Sequence, residues 1–255
     1  MTRPWPDPRQ RRGRRHSLQS ILVLALGAIL AGARSHAAIA DWAAAGEHQV
    51  RMCADPTYAS TLRRALSRLD PAALQAALTR WVLGRRTAAR AQAHPAGGPT
   101  AERRVVVAAD GKTLRGTRGP DGAQAKVFGV YEHASRLVLT QTSVLDHDEI
   151  AAFTTALATL PDLHDVVVTA DALHCQREHA AWLHAHGGHY LFTVKANQPT
   201  LRRALAALPW AQVAGSRRRQ VAHGRVESRS VQVIDLDGTP AAALFPHAAR
   251  AIKVV

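Results

Sequence analysis

The stretch VVVTADALHCQ, Val166 to Gln176, holds a dense run of β-branched residues that stops on an aspartate. Three valines and a threonine in succession read as a short strand buried on both faces, the kind found inside a parallel sheet. Helix-favouring residues follow at once, so the chain turns from strand toward helix at Asp171. Two readings of that carboxylate are open. Aspartate at a helix start accepts hydrogen bonds from the first turn and needs no further explanation. The other reading rests on repetition: RRVVVAAD, Arg103 to Asp110, is a second buried-type strand ending on a second aspartate.

Between these two strands, AKVFGVYEHA (residues 125–134) and RLVLTQTSVL (136–145) read as two more, separated by a short link at Ser135. HDEIAAFTTALATL is an amphipathic helix. CQREHAAWLHAHG is another, with Gly187 as its C-terminal cap. HYLFTVKANQ is a fifth strand, and PTLRRALAAL opens a helix on Pro199. The order is β-β-β-α-β-α-β-α. Three successive strands pair as antiparallel neighbours, while the later ones arrive by helical crossovers. The expected fold class is therefore α/β: a mixed five-stranded sheet flanked by helices, with its first and fourth strands adjacent and parallel.

Residues 1 to 98 read as helical, with apolar residues at three- and four-residue spacing in TLRRALSRLD and in PAALQAALTRWVLGRR. AQAHPAGGPTAE, residues 91–102, reads as a linker. Residues 99–210 carry the sheet, and 211–255 turn strand-like again around SRRRQVAHGRVESRSVQVIDLDG.

Lys and Arg outnumber Asp and Glu by 33 to 19, a formal charge of +14. That field favours phosphate-rich partners or anionic surfaces. Its clustering in runs such as RRGRRH favours nucleic acid. Cys53 and Cys175 lie far apart and lack C-x-x-C spacing, which excludes a disulfide framework, argues against zinc, and suits a reducing cytoplasm. The N-terminus imitates a targeting signal: RRGRRHSLQS precedes the uncharged run ILVLALGAILAGA of 13 residues. That run is too short to span a bilayer, and AAIADWAAAG continues the apolar pattern. A buried helix of a small helical domain accounts for the same residues. Export by a twin-arginine signal remains a separate reading, and it predicts cleavage near Ala37.

If the first and fourth strands are parallel neighbours, Asp110 and Asp171 lie side by side at the strand ends, where open α/β sheets place their sites. Two such carboxylates repel unless one is protonated or a cation lies between them. Hard oxygen donors suit Mg²⁺ or Mn²⁺. Both aspartates also remain readable as caps or turn residues, Asp110-Gly111 as a hairpin-like turn.

DGKTLRG (residues 110–116), VFGVYEH, HDEI, TADALHCQ and YLFTVKANQPTL together resemble the transposases of bacterial insertion sequences of the H-repeat-associated, ISAs-type family. The segment from Asp7 to Ala43 resembles the helical region preceding the catalytic domain in that family, and the likeness extends to about His247. The resemblance implies an RNase H-like core of the DDE type, preceded by a small helical domain. It implies a cytoplasmic DNA transposase with no membrane association, dependent on Mg²⁺ or Mn²⁺ and acting as a homo-oligomer on element ends and target DNA. It makes the apolar N-terminal run a buried helix. It carries Asp110 and Asp171 over as the first two catalytic, metal-binding acids.

The family's third acid belongs to a downstream helix with a motif resembling H-W-x-I-E-N, and none of these 255 residues matches it. The chain therefore reads as a C-terminally truncated member, expected to be inactive alone, and the alternative is a catalytically dead DNA-binding remnant. The nearest later acids are Glu227, Asp235 and Asp237, in strand-like surroundings unlike that helix. Lys112, Arg115 and Arg118 are placed to hold phosphates, or are solvated loop charges. Lys195, Asn197 and Gln198 close the fifth strand on the edge carrying both aspartates and are candidate DNA contacts. Glu149 reads either as a partner behind the metal ligands or as an ordinary first-turn acid. His174 and Cys175 read as first-turn helix residues rather than ligand or nucleophile. Arg9, Arg11, Arg12, Arg14 and Arg15 form a candidate phosphate-binding arm, as do Arg217 to Arg219.

Overall fold

The computed structural model describes residues 7–12, 14–45, 58–93, 104–118, 122–144, 148–222 and 225–255. Cys53 and most of the Gly/Pro-rich stretch lie outside them, as do the side chains of Arg118 and Glu227. Residues 1–74 and 75–255 form two compact units.

In the first unit, helix α1 (Leu18–Leu30) starts at Ser17, whose hydroxyl accepts from the Ser20 amide at 3.0 Å. Helix α2 (His36–Ala44) starts at Ser35 in the same way. Helix α3 spans Ala59–Leu66. Ile21, Leu24, Ala25 and Ala28 of α1 pack against Ile39 of α2 and against Leu62 and Ala65 of α3. The apolar run is thus a helix with one face in a core, while Leu26, Ile29 and Leu30 on its other positions are exposed. Among the described residues no helix is long and apolar enough to cross a membrane. Helix α4 (Pro71–Ala93) opens with its proline in the first turn and Asp70 accepting from the Ala72 amide.

The second unit is built on the expected sheet. Strands β1 (Val105–Arg118), β2 (Gln124–Glu132), β3 (Val138–Ser143), β4 (Val166–Ala170) and β5 (His189–Phe192) lie in the order β3-β2-β1-β4-β5. The β1–β2 and β2–β3 pairs are antiparallel, and β4 and β5 run parallel to β1. This is the RNase H-like arrangement. Helix α5 (Glu149–Leu157) connects β3 to β4, and α6 (Arg177–Ala185) connects β4 to β5. The end of α6 is a Schellman turn: Gly187 has φ +73°, its amide reaches the His184 carbonyl, and the Gly188 amide reaches that of Leu183 at 2.9 Å.

Two boundaries differ from the sequence reading: β5 stops at Phe192, so Lys195, Asn197 and Gln198 follow that strand and do not close it, and β1 runs on past its expected end. β1 does not end at Asp110 but continues to Arg118. Its pairing with β4 stops at Ala109, opposite Ala170, while pairing with β2 goes on through Asp110, Gly111, Lys112 and Thr113. Asp110-Gly111 is therefore part of a ladder and not a turn. Beyond Ala109, β1 is paired with β2, its neighbour in sequence, which stays paired with β3 as far as Val127↔Ser143. The polar, Gly-containing stretch GKTLRGTR carries no buried-strand pattern that would reveal the continuation.

The core is made of Val107 and Ala109 of β1, Phe128 and Val130 of β2, Val168 of β4, and Phe153, Ala156 and Leu157 of α5, all buried. Phe128 and Phe153 meet edge to face at 6.1 Å. Val82 and Leu83 of α4 pack on the same core. Arg86 of α4 pairs with buried Glu132 at 2.8 Å, and Ser135 donates to the same carboxylate. After helix α7 (Pro199–Ala206), strands β6 (Ser216–Ala222), β7 (Arg225–Asp235) and β8 (Arg250–Val254) form an antiparallel sheet in sequence order. Between β7 and β8 lies the short helix α8 (Pro240–Leu244).

Phe153→Ala removes a fully buried ring and is expected to cost about 3–5 kcal/mol in guanidinium unfolding. Arg86→Ala leaves the Glu132 carboxylate short of a buried partner and is expected to cost about 3 kcal/mol. Adding Glu132→Gln to that variant should recover part of the loss in the same unfolding measurement.

Candidate active site where β1 and β4 part

The register Ala109↔Ala170 makes Asp110 and Asp171 the next residues along two adjacent parallel strands. Both are exposed at the sheet edge. The capping reading of Asp171 also holds, since its carboxylate accepts from the Leu173 amide at 3.0 Å and starts a single 3₁₀ turn, Ala172–His174. Cap and site residue are compatible because that hydrogen bond occupies one oxygen.

Helix α5 brings a third carboxylate to the same place. Asp148 caps this helix, accepting from the Ala151 amide at 2.9 Å. Glu149 is the first helical residue, and its carboxylate lies so close over Gly111 that a Cβ on Gly111 would collide with it. Glu149 Oε1 is 3.5 Å from Nε2 of His174, whose side chain is only 1% exposed. Neither ring nitrogen of His174 has a hydrogen-bond partner among the described residues. Burial pushes the His174 pKa down, against the opposing pull of Asp171, Glu149 and Asp110. Lys112 binds Asp110 directly, and this bond, with the charges of Asp110, Glu149 and Asp171, raises the lysine's pKa. Three carboxylates and one ammonium thus share one electrostatic neighbourhood.

The turn after Asp171 is fastened from three sides. The Asn197 amide donates to the Ala172 carbonyl at 2.6 Å, and Gln198 donates to that of Cys175 at 2.8 Å. His179 stacks on Phe153 at 4.1 Å, with its ring nitrogens facing the carbonyls of His174 and Ile150 at 3.2 and 3.1 Å. It thereby ties the turn to the start of α5. Sequence reading missed His179 because its partners lie 5 and 29 residues away and no local periodicity marks them. It missed the role of Gly111 for the same reason, although the small residue after Asp110 is a visible signal of close approach. His174 and Cys175 are not first-turn residues of α6, because a separate 3₁₀ turn precedes that helix. Cys175 is buried, which pushes its thiol up to about 11 and makes it a poor nucleophile.

Of the candidate DNA contacts, Lys112, Arg115 and Lys195 are exposed. Asn197 and Gln198 have their amide N–H groups directed at the 172–175 turn. Arg9 departs from the open-arm reading: it is bonded to Asp7 through Nε and Nη2 and to the His16 carbonyl. The Arg9 hydrogen bond draws the Asp7 carboxyl down to about 2. Arg11, Arg12 and Arg15 are exposed. Asp235 pairs with Arg250 in the second sheet, away from the strand ends that carry Asp110 and Asp171. As donors, Asp110, Asp171 and Glu149 are hard carboxylate oxygens and fit Mg²⁺ or Mn²⁺ in kind. As their side chains stand, no three His, Cys, Asp or Glu residues among those described form a ligand set.

The model of the Transposase DDE domain family matches residues 101–243, and that of the DDE_Tnp_1-associated family matches residues 4–82. The chain belongs to the DDE-domain transposase family. The domain that spans Asp110 and Asp171 is therefore its DDE domain. The uncharacterized protein of the dhlA 3′ region of Xanthobacter autotrophicus is 31% identical over 90% of this chain and 78% of its own length. Two H repeat-associated proteins of Escherichia coli (strain K12), both provisionally named as transposases, are 27% identical. YbfD aligns over 91% of both chains, and YhhI over 78% of this one and 51% of its own length. The chain thus spans about half the length of some relatives and most of others. A piggyBac transposase synaptic complex with hairpin DNA aligns with a TM-score of 0.41 at 9% identity, over 93% of this chain and 50% of that one.

Burial holds the His179 pKa below its ordinary 6.5. Protonation thus favours the unfolded chain, and stability attributable to this residue is lost as pH falls below 6.5. The melting temperature measured from pH 7.5 to 5 should fall less steeply in His179→Gln than in the unmodified DDE domain protein.

Proposed function

We propose that this protein is a DNA transposase whose chemistry is phosphodiester cleavage and strand transfer at the point where the pairing of β1 with β4 stops. The observation that supports this reading best is the parallel register that sets Asp110 beside Asp171. In this reading both carboxylates are catalytic and hold Mg²⁺ or Mn²⁺. A divalent ion held there by Asp110 and Asp171 would supply positive charge to the attacked phosphodiester, where water would displace the 3′ oxygen and the freed 3′ hydroxyl would then displace a 3′ oxygen of target DNA. Asp171 is kept in place by its cap and by the fastened turn behind it. Lys112, Arg115 and Lys195 contact DNA phosphates around the site, and Asn197 and Gln198 orient the strand-end turn that faces the DNA. The net charge of +14 favours that partner. Element ends and target DNA are the substrates, the active form is a homo-oligomer on DNA, and the compartment is the cytoplasm.

A second reading concerns activity. Cleavage of this type is carried by several acids acting together, and removing one member of such a unit abolishes most of its rate. These 255 residues contain no H-W-x-I-E-N-like segment. As a purified polypeptide they are expected to bind DNA but to join donor ends weakly or not at all. Readily detected Mg²⁺-dependent joining that disappears in Asp110→Asn and Asp171→Asn would refute that inactivity while supporting the two aspartates. Binding is tested separately. Replacing Lys112, Arg115 and Lys195 together by alanine should lower the slope of log K against log salt by about 2–3, near 0.9 for each phosphate no longer neutralised. An unchanged slope would remove these three residues from the interface.

A further inference from the structure

We propose that Glu149 is a third carboxylate of the cation site formed by Asp110 and Asp171, admitted by the missing side chain of Gly111 and braced by His174. The inference rests on the reading of the two aspartates as ligands of a divalent ion. It is additional to the acid that the family resemblance places in a downstream helix.

Three observations carry it. The Glu149 side chain is 25% exposed and lies over the Gly111 backbone, one residue beyond Asp110, instead of extending into solvent from the helix end. A first-turn glutamate needed only for the helix dipole has no reason to adopt that position, and Asp148 already caps the helix. His174 is buried to 1% exposure beside it, with both ring nitrogens unpartnered among the described residues and Nε2 3.5 Å from Glu149 Oε1. A small closing movement turns that approach into a hydrogen bond orienting the carboxylate, the usual way an outer group fixes a ligand. Finally, the Lys112 ammonium is bound to Asp110, one residue from the Gly111 backbone over which the Glu149 carboxylate lies. Carboxylates gathered in this way repel and call for a cation.

Lys112 supplies that cation as the side chains stand, bound to Asp110. Binding of a divalent ion requires the lysine to leave Asp110, a rotation open to an exposed flexible side chain. Three carboxylates then face the ion, whereas the present arrangement contains no three-residue ligand set among the described residues.

The test is Mn²⁺ binding to the 255-residue chain, followed by the electron paramagnetic resonance signal of the free ion, with circular dichroism as the check on folding. Glu149→Gln is expected to weaken Mn²⁺ binding on the order of tenfold. Gly111→Ala keeps the acid but pushes its carboxylate aside, and should weaken binding in the same direction. Wild-type affinity in folded Glu149→Gln, or in Gly111→Ala should the first variant fail to fold, overturns the proposal. If Asp110→Asn and Asp171→Asn lose Mn²⁺ at the same time, the two-aspartate reading survives that outcome. No Mn²⁺ uptake by the unmodified protein, or uptake indifferent to both aspartate variants, overturns both readings.

Discussion

The parallel pairing of β1 with β4 is the constraint on which the rest of the site depends. Five consecutive pairs, from Val105↔Val166 to Ala109↔Ala170, bring together segments about 60 residues apart in sequence. This pairing is long-range, so local propensity cannot maintain it. It is stabilised by burying Val107, Ala109 and Val168 against Phe128, Phe153 and Leu157. Because side chains alternate along a strand, a slip of one residue would turn the valines out of the core. The same burial that fixes the register therefore fixes which two residues stand where that pairing ends.

What happens at those ends differs on the two sides of β1. On one side β4 stops and the chain folds into a 3₁₀ turn, held by Asn197, Gln198 and His179. On the other side β2 continues and carries β1 outward past Asp110. Asp110 thus sits on a rigid ladder and Asp171 on a capped, fastened turn. Side chains on such supports are held in a fixed geometry. His179 has a double place here. Its ring packs on Phe153 of the core while its nitrogens face the turn and the start of α5, so packing and site geometry are linked through one side chain.

The electrostatics follow from the convergence of strands and helix. Each of Asp110, Asp171 and Glu149 is unremarkable locally: a strand residue, a cap and a first-turn acid. Together they place three carboxylates where the sheet edge and the α5 N-terminus meet, beside buried His174, whose pKa burial pushes down against their pull. Lys112 offsets part of that charge from two residues along the same strand as Asp110. An exposed lysine is replaceable by a more highly charged ion in a way that a buried pair is not.

The amino-acid sequence alone determined the order of elements, the five-stranded mixed sheet, the helical N-terminal region and the two aspartates that follow the paired β-branched runs. These features are written in local pattern: β-branched runs, three- and four-residue spacing, Pro199 and Gly187 at helix boundaries. Other features were invisible in local pattern because each depends on which segments come into contact in the fold. The continuation of β1 past Asp110 is set by β2, and the approach of Glu149 to Gly111 by the packing of α5. The pairing of Arg86 with Glu132 joins residues 46 apart, and the linking role of His179 reaches across 29. Periodicity can report which face of an element is buried, but not which distant side chain will lie against it. The tertiary structure alone decided those neighbours, because they follow from how the elements pack around one core.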